Sequence, residues 1–113
     1  MGQRDYNRSD RVASQIKREL ATLIPREVHG PNMSLITISD VKVTRDLSVA
    51  KVYVVNMADK NIDEIMEALK DSAGYLRHLI GQVVRMRSVP ELRFHYDNSF
   101  AEGDKIDRLL DKL

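Results

Sequence analysis

The sequence predicts a single α+β domain, because helical and alternating hydrophobic periodicities follow one another along only 113 residues. The predicted order is a helix, two strands, two helices joined at a bend, and a third strand. We expect the three strands to form one sheet that packs on the helices. Residues 1–8 read as a polar tail, and a weak C-terminal helix is expected at about residues 100–113.

The first helix is predicted from apolar residues that recur at helical steps over residues 12–24. Ser9 is the expected N-cap, and Asp10 falls in the first turn, where the helix dipole favours an acid. Since Pro25 lacks a backbone N–H, the helix should kink or end near residues 24–27. Polar side chains at steps of three and four line its outer side, namely Arg8, Arg11, Gln15 and Arg18.

Two strands should follow at residues 35–44 and 49–57, because both stretches are rich in β-branched residues. The alternation slips at residues 39–40, where a bulge would keep the apolar side chains of the first strand on the core face. Residues 45–48 are short enough to be a hairpin connection. The second strand presents Val52 and Val54 on one side and Lys51, Tyr53 and Val55 on the other.

Residues 61–88 predict two helices that share one apolar stripe. The stripe keeps its phase through Gly74, although glycine inside a helix costs about 1 kcal/mol relative to alanine. We therefore expect the chain to bend at residues 72–74 and to continue. A second helix that begins after this bend would expose N–H groups, and these suit phosphate oxygens.

The charge of the chain reverses at the bend. Residues 56–71 carry five acids against two lysines, whereas residues 72–95 carry four arginines against one glutamate. The second helix is therefore basic, and it should end near residues 87–88 because Pro90 follows. Residues 92–96 alternate apolar with polar and predict a third strand with one wet face.

This order of elements is that of a type II KH domain, which is an RNA-binding fold. KH domains ordinarily carry a GxxG loop between two helices, and that loop clamps the nucleotide backbone. The loop is missing here, and Ser72-Ala73-Gly74 occupies its place. We therefore predict a single KH-like RNA-binding domain.

Composition favours an ordinary globular protein, with 42% hydrophobic and 31% charged residues. No apolar run approaches the roughly 20 residues of a membrane span, and residues 1–9 lack the apolar core of a signal peptide. With no cysteine and no ligand spacing among the histidines, neither disulfides nor a metal site are indicated. We expect a cytoplasmic protein that needs no cofactor.

The net charge of +1 argues against a strong nucleic-acid binder, but the distribution of charge argues for one. Residues 1–26 carry six bases against three acids, and residues 72–95 are also basic. Two basic segments that are far apart in sequence can join into one face. In the alternative interpretation, each of these charges is simply a solvated helix charge.

Four stretches of the chain form a recognisable combination. They are RSDRVA at residues 8–13, RDL at 45–47 followed by AKVYV at 50–54, RMRSVPELRF at 85–94, and YDNS at 96–99. Together they resemble the bacterial ribosome-binding factor A family over nearly the whole chain. The family has Ala-x-Gly at its helix bend, whereas this chain has Ser72 at the first of those positions.

The resemblance implies a non-enzymatic factor of ribosome biogenesis. Proteins of this family bind the free small (30S) ribosomal subunit through 16S rRNA late in its maturation. They support processing of the 16S rRNA 5′ end and growth in the cold, and an assembly GTPase is linked to their release. We therefore expect a monomer whose partners are the small subunit and an assembly GTPase, without membrane contact.

Some of the expected RNA-binding residues have a structural alternative. Gly74 contacts phosphate or is a packing notch, and Arg45 reaches phosphate or pairs locally with Asp46 or with the end of a strand. Tyr75 stacks on a base or covers the sheet edge, and His78 contacts RNA or is an ordinary exposed histidine. The full expected set is Arg4, Arg8, Arg11, Lys17, Arg18, Arg45, Ser72, Ala73, Gly74, Tyr75, Arg77, His78, Arg85 and Arg87.

Two other classes of function compete with RNA binding. The exposed faces of the first and last helices favour a protein-interaction module that does not depend on RNA. An enzyme is disfavoured, since the sequence contains no Gly-rich nucleotide loop with a lysine, no HExxH and no GxSxG. Asp71, Ser72 and His78 are close in sequence, but the first two are neighbours on different helix faces. We expect no catalytic residue.

Overall fold

The computed structural model describes residues 7–58 and 60–98. Within these residues the order is α1, β1, β2, α2, β3, with a single turn of 3-10 helix at Met33–Leu35 before β1. The expected α+β class is confirmed. The predicted C-terminal helix at residues 100–113 and most of the predicted polar tail lie outside the described residues.

Helix α1 spans Arg8–Glu27, and its N-cap is Asn7. Ser9 was the expected cap, and that prediction is wrong. The Asn7 carboxamide oxygen accepts from the Asp10 N–H at 3.0 Å, and the Ser9 hydroxyl is used in donating to the same oxygen at 2.6 Å. Asp10 does lie in the first turn, and the helix ends just after Pro25, as predicted.

Strands β1 (Ile36–Val43) and β2 (Val49–Asn56) form an antiparallel hairpin. Their register shifts between Ile38 and Asp40, which confirms the predicted bulge. Because of the extra residue, Ile38 and Val41 are both buried although they differ in parity.

Strand β3 (Glu91–Tyr96) pairs in parallel with β2, and the sheet order is β1-β2-β3. A parallel pair needs a crossover connection, and α2 provides it. Val41, Val52 and Phe94 are paired across the three strands and are buried against the helices. Helix α1 packs mainly on β1 and α2 on β3, so the opposite face of the sheet is left uncovered by the described elements.

Helix α2 is one uninterrupted helix, Ile62–Val83. The predicted division into two helices at residues 72–74 is therefore wrong, whereas the apolar stripe does continue through Gly74 as expected. Leu69 and Leu76 lie on either side of Gly74 and are both fully buried. Burial of side chains of this size stabilises by about 1.5–3 kcal/mol each, which outweighs the cost of one helical glycine.

The end of α2 also differs from the prediction, which placed it near residues 87–88. The helix ends at Val83, and Val84 is an extended C-cap whose N–H donates to the Ile80 carbonyl. Val84 is buried in the core, and this burial ends the helix about one turn before the point at which Pro90 would end it. Arg85 and Arg87 consequently lie in the loop between α2 and β3.

Candidate nucleic-acid interface

A groove of about 940 Å³ lies where three segments of the chain meet. These segments are the first turns of α1, the turn between β1 and β2, and the loop after α2. Arg8 and Arg11 line it from α1, and Arg85 and Arg87 line it from the loop. We call this surface the arginine groove. It joins the two basic segments into one face, as the distribution of charge predicted.

Helix α1 supplies one wall of the arginine groove through its outer stripe. Arg8, Arg11 and Gln15 follow at steps of three and four, so they lie on one side of the helix. Val12 is buried and anchors this stretch to the core. Arg18 continues the stripe, since it shares a second shallow surface with Arg11 and Gln15.

The turn between β1 and β2 forms the second wall and contains a well-held acid. The Asp46 carboxylate accepts from the Thr44 hydroxyl at 2.7 Å, and from the Ser48 hydroxyl at 2.7 Å and its N–H at 3.1 Å. These hydrogen bonds, that from Thr44 first, lower the pKa of Asp46. The carboxylate is therefore engaged by its own turn.

Leu47 completes this turn in a left-handed conformation with φ of 63°. Such a φ is unfavourable for a branched side chain, and it is retained here because the surroundings fix it. The Leu47 N–H donates to the Thr44 carbonyl at 2.9 Å, and its half-buried side chain packs against the core. The strained residue thus holds Ser48 at the rim of the groove.

In the loop after α2, buried and exposed side chains alternate, and the arginines are the exposed ones. Val84 is buried and Met86 is half-buried against the core, whereas Arg85 and Arg87 are exposed. In a near-extended chain this pattern places both arginines on the outer side. The following strand is tied to the opposite wall, since the Glu91 N–H donates to the Ser48 carbonyl at 2.9 Å.

The charges of the arginine groove are uncompensated within the described part of the chain. The ion pairs found there are Arg26 with Glu27 and Arg93 with Glu91, and neither includes a groove arginine. Asp46 is the one acid among the groove residues, and its hydrogen bonds come from Thr44 and Ser48. The groove therefore offers several guanidinium groups to an anionic ligand.

A second, smaller surface lies on the outer side of α2. Gly74, His78 and Gly81 line it together with Arg77, whose Nε donates to the Val89 carbonyl at 2.8 Å. Arg77 therefore lies apart from Arg85 and Arg87, although all three were expected in one basic helix. We call this surface the α2 face.

The structure contradicts the packing interpretation of Gly74 and provides no helix N-terminus for its interpretation as a phosphate contact. A Cβ at this position would meet nothing within 4 Å, so Gly74 is not a packing notch. A phosphate site at a helix N-terminus is also absent here, because α2 runs through Gly74 without interruption and only the first four N–H groups of a helix lack a partner.

The other predicted residues near Gly74 have structural surroundings. The Tyr75 hydroxyl donates to the Glu27 carboxylate at 3.3 Å, so this exposed ring reaches toward α1 instead of the sheet edge. Ser72 and Ala73 are half-buried, and Ala73 packs against the core. His78 is exposed and its Nε2 lies 3.2 Å from Gln82 Nε2.

Neither Lys17 nor Arg45 lines the arginine groove. Lys17 lines a hollow between α1 and β1 together with Ile36 and Ile38. Arg45 is exposed in the hairpin turn, and among the described residues it forms no ion pair with Asp46. Arg4 lies outside the described residues.

Two groove components were not predicted. The hairpin residues 46–48 and Ser88 line the groove, yet none was among the expected RNA-binding residues. Both lie in or beside stretches that carry the family resemblance, at residues 45–47 and 85–94, and the first was also predicted as a hairpin connection. None of the described helices is long and apolar enough to cross a membrane. Within residues 7–58 and 60–98, no three His, Asp or Glu side chains are grouped closely enough to hold a metal ion.

Comparison with known proteins identifies relatives of this chain. A sequence model described as Ribosome-binding factor A matches residues 8–110. A protein named Ribosome-binding factor A from Pseudomonas paraeruginosa is 43% identical over 112 residues, covering 96% of this chain and 88% of the relative. One of the same name from Chromohalobacter salexigens is 42% identical, covering 96% and 86%.

Solved structures share the fold. The crystal structure of ribosome-binding factor A from Thermus thermophilus superposes with a TM-score of 0.71 at 28% identity, covering 80% of this chain and 97% of that one. A homology model of the Thermus thermophilus protein, fitted into a cryo-electron microscopy map of a 30S–RbfA complex, has a TM-score of 0.65 at 30% identity and covers 76% and 91%.

Proposed function

We propose that this chain, which belongs to the ribosome-binding factor A family, binds the free small (30S) ribosomal subunit through the backbone of 16S rRNA. The observation that carries this proposal is the arginine groove, where Arg8, Arg11, Arg85 and Arg87 meet without an acidic partner among the described residues. Guanidinium groups donate in a fixed fork that matches phosphate oxygens. The relative that was fitted into a 30S complex supports the same partner.

The groove is suited to a strand of RNA backbone and not to a chemical reaction. Its polar groups are guanidinium groups, the hydroxyls of Ser48 and Ser88 and the Gln15 carboxamide, and its one acid accepts hydrogen bonds from the hairpin turn. Such contacts fix position and carry no sequence information. Four phosphate contacts at a slope of about 0.9 each would lower the affinity roughly a hundredfold between 50 and 200 mM salt. We infer a non-enzymatic binding function.

The finer role is support of late 30S maturation, including processing of the 16S rRNA 5′ end and growth in the cold. A domain that clamps the rRNA backbone favours the RNA conformation that it binds most tightly. The size of this shift is set by the difference between its affinities for the alternative conformations. The test is complementation of a strain that lacks the protein, with primer extension of 16S 5′ ends at low temperature. Wild type should reduce unprocessed ends, and an Arg85→Glu/Arg87→Glu variant should not.

We propose that the protein acts in the cytoplasm as a monomer and that an assembly GTPase promotes its release. Sedimentation velocity should give one species of monomer mass. Addition of the GTPase with GTP should accelerate dissociation of the preformed 30S complex relative to addition of the GTPase with GDP.

The deciding experiment measures binding to purified 30S and 50S subunits and repeats capture from extract after ribonuclease digestion. The proposal expects a preference for 30S and loss of the captured complex when RNA is digested. Equal binding to both subunits would overturn the choice of partner. A complex that persists after digestion would instead assign the protein to RNA-independent protein interactions.

A further inference from the structure

The face of the sheet opposite the helices carries a row of three cations. Lys42, Lys51 and Arg93 are direct neighbours across β1, β2 and β3, and all three are exposed. Like charges directly opposite one another on adjacent strands destabilise a sheet. Because Arg93 is paired with Glu91, the uncompensated repulsion in the free protein is between Lys42 and Lys51, and a bound anion would relieve it.

An aromatic pair lies in the next row of the same face. The Tyr53 and His95 rings are stacked, with centroids 5.5 Å apart and planes at 29°. The Lys42 Nζ lies 5.7 Å from the centroid of the Tyr53 ring. Same-face positions along a strand are about 7 Å apart, so the cation row and the ring pair are within reach of one nucleotide.

Three acids lie on or beside this face, and each accepts a hydrogen bond; Asp40 is opposite Tyr53 in the strand register. The Glu91 carboxylate accepts from the Arg93 Nε at 2.9 Å, and Asp40 accepts from the Val41 N–H at 2.9 Å. Asp97, at the far end, accepts from the Ser39 hydroxyl at 2.6 Å. In the described part of the chain, neither Lys42 nor Lys51 forms an ion pair.

We propose that this face is a second RNA-binding surface, which takes a single-stranded segment with phosphates on the cation row and a base stacked on the Tyr53–His95 pair. Cations beside stacked aromatic rings are the usual means of binding single strands without sequence preference. An acidic protein segment would use the cations but would give the ring pair no role.

The two RNA-binding surfaces share no residue and are separated by the hairpin turn that contains Arg45. A single strand that leaves the arginine groove can therefore continue over this turn onto the sheet. The inference rests on the proposed function only in assuming that the ligand is RNA. Substitutions in the sheet face and in the groove test the two surfaces independently.

The test measures fluorescence anisotropy of a labelled decauridylate with the full chain at low salt. Tyr53→Leu and Lys42→Gln/Lys51→Gln should each weaken binding about tenfold, in line with the loss of one stacked base or two phosphate contacts. The matched control is Lys60→Gln/Lys70→Gln, which removes the same charge away from the sheet face and should retain wild-type affinity. Thermal melting in the absence of RNA should show equal or higher stability for the double lysine variant, because like-charge repulsion is removed.

Several outcomes would overturn the inference. Unchanged decauridylate affinity in both sheet-face variants would do so, and so would weakened 30S binding with unchanged decauridylate binding, since that result assigns the face to a ribosomal protein. The groove variant Arg85→Glu/Arg87→Glu tests the proposed function separately on 30S subunits. Its failure to weaken 30S binding would leave the decauridylate result standing.

Discussion

The arginine groove and the α2 face are both basic and exposed, but the chain builds them in different ways. The groove collects its cations from α1 and from the loop after α2, and none of them has an acidic partner among the described residues. The α2 face comes from one helix, and its cation, Arg77, is tied to the Val89 carbonyl. Charge density along the sequence therefore does not locate the candidate site. The site forms where separate basic segments come together in the fold.

The largest expected effect is on the groove. Arg85→Glu/Arg87→Glu should lower 30S affinity by about a hundredfold or more, because two phosphate contacts become two repulsions. Since both side chains are exposed, the melting temperature should stay within error. The matched control is Lys60→Glu/Lys70→Glu, which makes the same charge change on the surface before and within α2. If both double variants lose affinity equally, only net charge matters and the groove has no special role.

A smaller effect is expected for Arg77→Gln on the α2 face. The hydrogen bond to the Val89 carbonyl should be weakened, which lowers the free energy of unfolding by about 1 kcal/mol in urea titrations. The 30S affinity should fall by only about threefold, as for one distant charge. A loss as large as that of the groove variant would place the RNA on the α2 face and invert the comparison.

The Gly74→Ala variant separates stability from binding. The Cβ would stand in open space within a regular helix, so the free energy of unfolding should rise by about 0.5–1 kcal/mol. We expect the 30S affinity to change by less than about threefold, since no free helix N-terminus exists there for phosphate. A more stable variant that no longer binds would show that RNA approaches the backbone at Gly74.

The smallest effect concerns the acid in the groove wall. The folded-state pKa of Asp46 is lowered by its hydrogen bonds, so its contribution to stability is present above the ordinary aspartate pKa and is lost as pH falls through the lowered value. Asp46→Ala should therefore melt slightly below wild type at pH 7, and the difference should shrink below pH 4. Melting curves from pH 7 to pH 2 check this, and a constant difference would contradict it.

The fold was largely predictable because most of its helices and strands have a recognisable local sequence pattern. The slip at residues 39–40 predicted the bulge, and the alternation of Leu92 with Phe94 predicted β3. The continuity of α2 was missed, since the penalty of Gly74 is visible in the sequence whereas the burial of Leu69 and Leu76 on one core is not.

The candidate site was less predictable because it depends on tertiary convergence. The cations of α1 were placed correctly on its outer side, since helical steps alone determine that face. Arg85 and Arg87 were assigned to the helix, but α2 ends before them. It ends at Val83 because Val84 is buried in the core in an extended conformation. The row of Lys42, Lys51 and Arg93 was not recognised, since strand register cannot be read from one strand at a time.

The most direct test of the arginine groove is the salt dependence of 30S binding. The slope of the logarithm of affinity against the logarithm of salt concentration counts the phosphates that the protein neutralises. We expect a slope for Arg85→Gln/Arg87→Gln that is shallower than that of wild type by about 1.5–2, which corresponds to two lost phosphate contacts. An unchanged slope would contradict the account, because it would mean that the arginines of the groove do not contact the RNA backbone.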